Sequence, residues 1–495
     1  MFLFVLSLIT SFEFPVCTAP GDQVYPDVCW DGEAFWVVWA DEELGTIRGV
    51  RVNEEGELLT DEIELINSGT DPGPVSYPSI GAGPDRFAVN ARVMVRYNEF
   101  GTEIWGVMHQ EFSLDGQSQH DEPIRIPESF ELEDRVSIPL VIYGKDHFFS
   151  FYKAGIETPA DVHMSSYAVG INSQEWEPVL VWRSSYLSLE YEPPAACWTG
   201  DSFMVIFNRS PNDRGGLAGL FLPDTLIDWG NGYSFEYLVD GFTLSAYYRQ
   251  EKHLSLSSDG SFSYLVGECP YYLVSGQIGF YMIDSLGSPK FDSASYKDFN
   301  DNILCFHPDM VYESKKYIAV WENFFETNNT SHLYAIEVDT VGEVLKTGYV
   351  VQKSPVDKHP AIAFGSDQYL LVWTDNQDGD FNIHGKLFDT LEVFEGIEEQ
   401  PLPVNELPSI ALETNPNPFS KKTTIRLPKG LQLETNTVIN IYDNTGSQVQ
   451  QLIIPTGQSA VTWDGTDSKG QALSSGIYFI RPGALELKTT KIIKQ

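Results

Sequence analysis

One motif returns along most of this chain, and a chain that repeats itself must fold as an array of like units. The first copy reads Tyr25-Pro-Asp-Val-Cys-Trp-Asp-Gly32 and then Ala34-Phe-Trp-Val-Val-Trp-Ala-Asp41. Others are Pro194-Ala-Ala-Cys-Trp-Thr-Gly200 with Ser202–Phe207, His307-Pro-Asp-Met-Val-Tyr312 with Lys316–Glu322, and His359-Pro-Ala-Ile-Ala-Phe-Gly365 with Gln368–Asp375. Weaker copies begin near Tyr77, Val136 and His253. A second half follows, as in Thr46-Ile-Arg-Gly-Val-Arg-Val52 and Asn382-Ile-His-Gly-Lys-Leu-Phe388.

Each unit alternates short β-rich runs with Gly, Asp and Asn turns. The run Phe35–Trp39 is apolar on both faces, so it belongs between two sheets, whereas the later runs alternate and lie nearer solvent. About four strands in roughly 40–60 residues make one propeller blade, which cannot bury both faces alone and must stack on its neighbours. The expected fold is all-β: a β-propeller of seven blades over residues 20–403, closed with help from residues 20–24 or 396–403. A pair of stacked β-sandwiches is the alternative arrangement. The Tyr-Pro or His-Pro start, the Val-Trp-x-Asp centre and the Ile-x-Gly second half resemble propeller repeats common in secreted bacterial proteins. That resemblance implies a fold and is almost silent on activity.

Past the repeats, the Pro-rich stretch around residues 404–409 reads as a linker, and residues 410–495 as a small β-sandwich. Charge changes at the same place: residues 410–495 carry a net +3 and the rest of the chain −42. Five motifs fall in order in this tail. They are Asn415-Pro416-Asn417-Pro418-Phe419; Ile441-Tyr-Asp443 with Gly446; Trp463-Asp464-Gly465 with Asp467 and Gly470; Ser475-Gly476-Ile-Tyr478-Phe479; and Lys491-Ile-Ile-Lys494. The set resembles the C-terminal sorting domain of type IX (Por) secretion substrates, which is similar to the immunoglobulin-like domain of the flagellar-hook capping protein. Thr414 stands where an aromatic residue is common. The resemblance implies an address read by an outer-membrane translocon, and delivery of the propeller outside the cell or to its surface.

The formal net charge of −39 argues against nucleic acid as a partner and against an anionic membrane surface. It suits solubility outside a cell, or a surface that attracts cations. The apolar stretch in residues 1–19 has the length of a signal segment and is too short to span a bilayer, and no later run is a transmembrane anchor. Cys17, Cys29, Cys197, Cys269 and Cys305 include no metal-type CxxC pair.

No nucleophile elbow, HExxH or P-loop is present, so no catalytic residue stands out. Asp375-Asn-Gln-Asp-Gly-Asp380 resembles a calcium loop but has no closing Glu, and reads as a turn. Calcium or another divalent cation is thus the one cofactor hinted at, and none is required. His253, His307 and His359 hold the same position in three successive units, which Tyr25 and Tyr77 hold in the first two. Side by side on a ring, three imidazoles would suit a metal; the two tyrosines favour planar packing beside proline. Two functions stay open. One is a binding or interaction module with an extracellular protein or glycan ligand. The other is a hydrolase or lyase acting on polysaccharide, with inner-strand carboxylates such as Asp27 and Asp309 as acid and base.

Overall fold

The computed structural model describes residues 12–393 and 413–494 apart from internal stretches, the longest being 127–134, 184–193, 209–216, 227–240, 244–251 and 428–436. The chain divides into two compact units, Met1–Gly396 and Ile397–Gln495. The division falls ahead of the expected linker, which lies outside the described residues. Among the described residues, no helix is long and apolar enough to cross a membrane.

The first unit is a β-propeller. Its described residues form seven antiparallel sheets, six of them built from strands that follow one another in sequence and the last completed by a strand from the start of the unit. The first sheet runs Gln23–Trp30, Phe35–Asp41, Thr46–Val52 and Ile63–Ile66. An Asx-type turn links its first two strands: the Asp31 carboxylate accepts the Glu33 and Ala34 amides, and Gly32 takes a φ of 98° that a side chain would resist. All seven residues of Phe35–Asp41 are buried, because a sheet lies on each side of them.

Seven apolar cores, each straddling two successive sheets, hold the ring together. One packs Trp36 and Val38 of the first sheet against Phe87 and Val89 of the second. The core that closes the ring packs Val28, Val37 and Val50 of the first sheet against Ala363, Leu370 and Val372 of the last. Each sheet shares a core with the sheet on either side, so each unit is stable only beside its neighbours.

Of the segments expected to close the ring, residues 20–24 take part, since the Gln23 amide donates to the Phe381 carbonyl at 2.8 Å and Asp22 Oδ1 accepts the Phe381 amide at 3.0 Å, while residues 396–403 lie outside the described residues; the larger share comes from an earlier strand. Strand Phe12–Cys17 pairs antiparallel with Asn382–Phe388, Phe12 opposite Leu387, and supplies the outer strand of the last sheet. Phe14 packs on the closing core, and Val16 and Cys17 are buried in it, while Glu13 and Pro15 are exposed. This alternation identifies a paired strand. The expected signal segment 1–19 thus overlaps the closing strand; residues 1–11 lie outside the described residues. Residues 23 and 24 begin the innermost strand of the first sheet.

The second unit is an immunoglobulin-like sandwich of a three-stranded and a four-stranded sheet. Its core includes Phe419, Ile425, Ile441, Trp463, Tyr478 and Ile492.

Candidate functional site

The innermost strands share a local distortion that builds the site. In the first sheet Val24 pairs with Ala40 and Asp27 with Val38, so Tyr25-Pro26 together oppose Trp39 alone. The same two-against-one bulge holds Tyr77-Pro78, His253-Leu254 and His307-Pro308. A proline has no N–H to lose from the ladder, which makes it cheap at a bulge. The first residue of the pair, before proline in four sheets and before Leu254 in one, takes a left-handed backbone: φ is 56° at Tyr25, 51° at Tyr77, 41° at His253, 50° at His307 and 40° at His359. Each costs about 1–2 kcal/mol for a residue with a side chain, and five in register point to a geometry held by the whole ring.

The result is an arc of five rings. Successive centroids lie 4.0 Å apart from Tyr77 to Tyr25, 4.8 Å from Tyr25 to His359, 3.7 Å from His359 to His307 and 4.5 Å from His307 to His253. The Tyr77 hydroxyl donates to that of Tyr25 at 3.2 Å. These rings border a cavity of about 310 Å³ to which all seven units contribute. Six prolines at or beside the bulge position, Pro26, Pro78, Pro139, Pro194, Pro308 and Pro360, form its collar.

One residue past the collar, side chains stitch the ring. Asp27 Oδ2 accepts the Ile80 amide of the next sheet at 2.8 Å, and Asp309 Oδ2 accepts the Ile362 amide at 2.8 Å. Ser79 takes the same role, accepting the Val141 amide at 3.2 Å, and Ser255 donates to Asp309 at 2.9 Å. Asp27 keeps some surface toward the cavity but is enclosed by protein. That burial, with the Asp309 charge added, pushes its carboxyl up to about 7 against the amides of Ile80 and Val28. Burial also raises Asp309.

Behind the imidazoles stand two buried glutamates that the sequence reading missed. Glu268 Oε1 lies 2.7 Å from His253 Nδ1 and accepts the His307 amide at 2.7 Å. Glu322 Oε2 lies 3.7 Å from His307 Nδ1 and accepts the Lys358 amide at 3.0 Å. Burial depresses the His307 pKa and the neighbouring His359 and His253 push the same way, against Glu322. Burial alone would raise Glu322, but His307, Ser331 and the Lys358 amide hold it below the usual carboxylate range. These directions favour a neutral His307 beside an ionised Glu322 at neutral pH.

The structure brings His253, His307 and His359 together, yet among the described residues no group of three or more His, Cys, Asp or Glu is placed to hold a metal ion. Asp27 and Asp309 face the same cavity, with their carboxylates committed to neighbouring backbone. Of the Asp375–Asp380 string, residues 377–378 lie outside the described residues, and Asp375 is 3.3 Å from Lys358 Nζ, which makes it an ion-pair partner.

In the second unit the motif residues converge. Asn417 Nδ2 donates to the Lys491 carbonyl, and Asn417 Oδ1 accepts the Ile493 amide, both at 2.9 Å. The Pro416 carbonyl accepts from the Thr423 hydroxyl at 2.7 Å. Phe419, 1 % exposed where Pro418 beside it is open to solvent, packs on Trp463 with centroids 5.3 Å apart, and Tyr478 meets Trp463 edge-on at 5.5 Å. Asp464 caps the turn through the Thr466 amide. Gly465 takes a φ of 74° with Lys494 against it, and Gly476 pairs with Lys494 at the start of its strand. Ser475 and residues 443–447 lie outside the described residues.

Residues 423–481 match the family model for the FlgD Ig-like domain. No curated protein matches the chain in sequence. Among solved structures, it is similar to the β-propeller domain of the Trilobed protease from Pyrococcus furiosus, with 11% identity over 77% of this chain and 100% of that one, TM-score 0.40. It is also similar to Pyrococcus horikoshii acylaminoacyl peptidase, with 12% identity over 84% of this chain and 59% of that one, TM-score 0.41. A third is Trypanosoma rangeli sialidase, with 6% identity over 96% of this chain and 84% of that one, TM-score 0.41.

Proposed function

We propose that this is an exported binding protein: the propeller takes an extracellular ligand at its axial cavity, and the C-terminal sandwich is the address that an outer-membrane translocon of the type IX kind reads. The observation that carries the first half is the convergence of all seven units on one cavity, bordered by five left-handed ring residues that packing alone would not require. The second half is supported by the ordered tail motifs and by their convergence on the last strand, Thr490–Lys494. Deleting residues 410–495 in a host with this secretion system tests the address. A folded propeller retained in the periplasm is the expected result, and normal surface delivery overturns it.

A hydrolytic reading keeps one observation in its favour, the Asp27 carboxyl pushed up to about 7, where a general acid works best near neutral pH. Against it, both Asp27 oxygens already accept backbone amides. A polysaccharide-degradation screen on the full chain separates the two, with product release favouring the hydrolase.

A further inference from the structure

We infer that the axial cavity binds a small organic cation, an alkylammonium ion, through a match of both charge and shape; this rests on reading the cavity as the propeller's binding site. Among the described residues that line it, none is Lys or Arg, while Asp27 and Asp309 both line it. Glu268 and Glu322 stand directly behind His253 and His307. A concave site walled by carboxylates and lined above them by low-dielectric proline focuses a negative potential inward. An anion entering it would lose its water and meet like charge; a cation would replace water with fixed acceptors.

The kind of cation follows from the wall. Among the described residues, no group of three or more His, Cys, Asp or Glu is arranged around a bare metal. The collar of six prolines is apolar and wide of any single ion, and a cavity of about 310 Å³ has room for several heavy atoms. An ammonium head among carboxylates, imidazoles and phenols, with its alkyl chain against proline, satisfies both layers. The two tyrosines stack on each other, with the Arg92 guanidinium over Tyr77 at 5.9 Å, so the acidic side of the cavity is the one formed by Asp27, Asp309 and the histidines.

The site should couple to pH. Asp27 faces Asp309, the three imidazoles and the two phenols around the cavity, and its carboxyl sits at about 7. A bound cation favours its ionised form, so binding expels the proton and weakens as pH falls. That is about tenfold in affinity between pH 8 and pH 6.

The experiment is calorimetric titration of the full chain with butylammonium chloride and, in parallel, 1-butanol, which has the same number of heavy atoms and no charge. Binding of butylammonium at pH 8, about tenfold weaker at pH 6 and at least tenfold weaker for butanol, is the expected result. Equal binding of the two, pH-independent binding, or no butylammonium binding at pH 8 overturns the inference. Ala361→Leu and Ala196→Leu, which fill the cavity from two different sheets, should each abolish binding; wild-type affinity in either folded variant overturns the location. Both pH and butanol comparisons use the unaltered chain, so a variant that does not fold leaves the test intact. A glycan or protein ligand bound by a chain that ignores butylammonium would sink the ammonium and leave the binding-module reading standing.

Discussion

Asp309 reaches out of its own sheet to accept the Ile362 amide of the next at 2.8 Å, and Asp27 makes the matching bond to Ile80 at 2.8 Å. Ala in place of Asp309 leaves that buried amide and the Ser255 hydroxyl without their acceptor. Asp309→Ala should therefore lower propeller stability by roughly 2–4 kcal/mol, and Asp309→Asn, which keeps one acceptor oxygen, by less. Urea unfolding followed by tryptophan fluorescence checks the order; an Ala variant as stable as the Asn variant would remove the stitching role.

The raised Asp27 carboxyl sets a pH dependence with a definite sign. Its folded value, about 7, lies above the ordinary 3.8, so the folded chain holds a proton that the unfolded chain releases. Its contribution is fully present below about pH 4 and is lost as pH rises through 7. Depressed His307 acts oppositely, losing stability as pH falls below the ordinary 6.5. Asp27→Asn should remove the first effect, so that between pH 5 and pH 8 the wild type loses stability relative to the variant as pH rises, by about 2–4 kcal/mol at most, on top of a constant cost for the one amide the variant no longer accepts. Unfolding midpoints measured across that range decide it; parallel curves for the two proteins would count against the shift.

Strand Phe12–Cys17 predicts what truncation does. A chain starting at Gly21 exposes the edge of Asn382–Phe388 and the closing core that Phe14 and Val16 cover. Each covering apolar side chain is worth about 1.5–3 kcal/mol, and an open edge invites pairing with another chain. A chain starting at Phe12 should stay monomeric and melt several degrees higher, as judged by calorimetry and light scattering. Equal melting of the two would show that the strand does not close the ring.

Asn417 ties the tail motif to the terminal strand by two bonds. Asn417→Ala should cost the sandwich about 1–2 kcal/mol and speed exchange of the Ile493 amide, with the propeller amides unchanged. Hydrogen exchange on the full chain reads both at once.

The array itself was legible because a blade buries both faces, and burial writes the same apolar run, Phe35–Trp39 or Leu370–Trp373, into each unit. The ring position was legible from its aromatic residue beside proline. Its glutamates were not, because the position fifteen residues on holds Ala40, Arg92, Glu268, Glu322 and Thr374 by turns. That constant offset from Tyr or His was the signal available. The roles of Asp27 and Asp309 were hidden for another reason: their partners are backbone amides, which leave no mark in a sequence. Phe12–Cys17 was masked by the apolar run before it, although its own alternation of Glu13 and Pro15 with Phe14 and Val16 was in plain view.

The pairing of Phe12 with Leu387 also has a consequence in time. Strand Phe12–Cys17 leaves a ribosome long before Asn382–Phe388 and waits for it before it has that partner. At about 5–20 residues per second the wait is roughly 20–75 s. Throughout it the closing core has only one of its two walls, so the ring cannot lock while it is being made. A chain that must stay unlocked until its far end arrives is open to capture by a holding chaperone for the whole of its synthesis, and it commits to its shape in one late step.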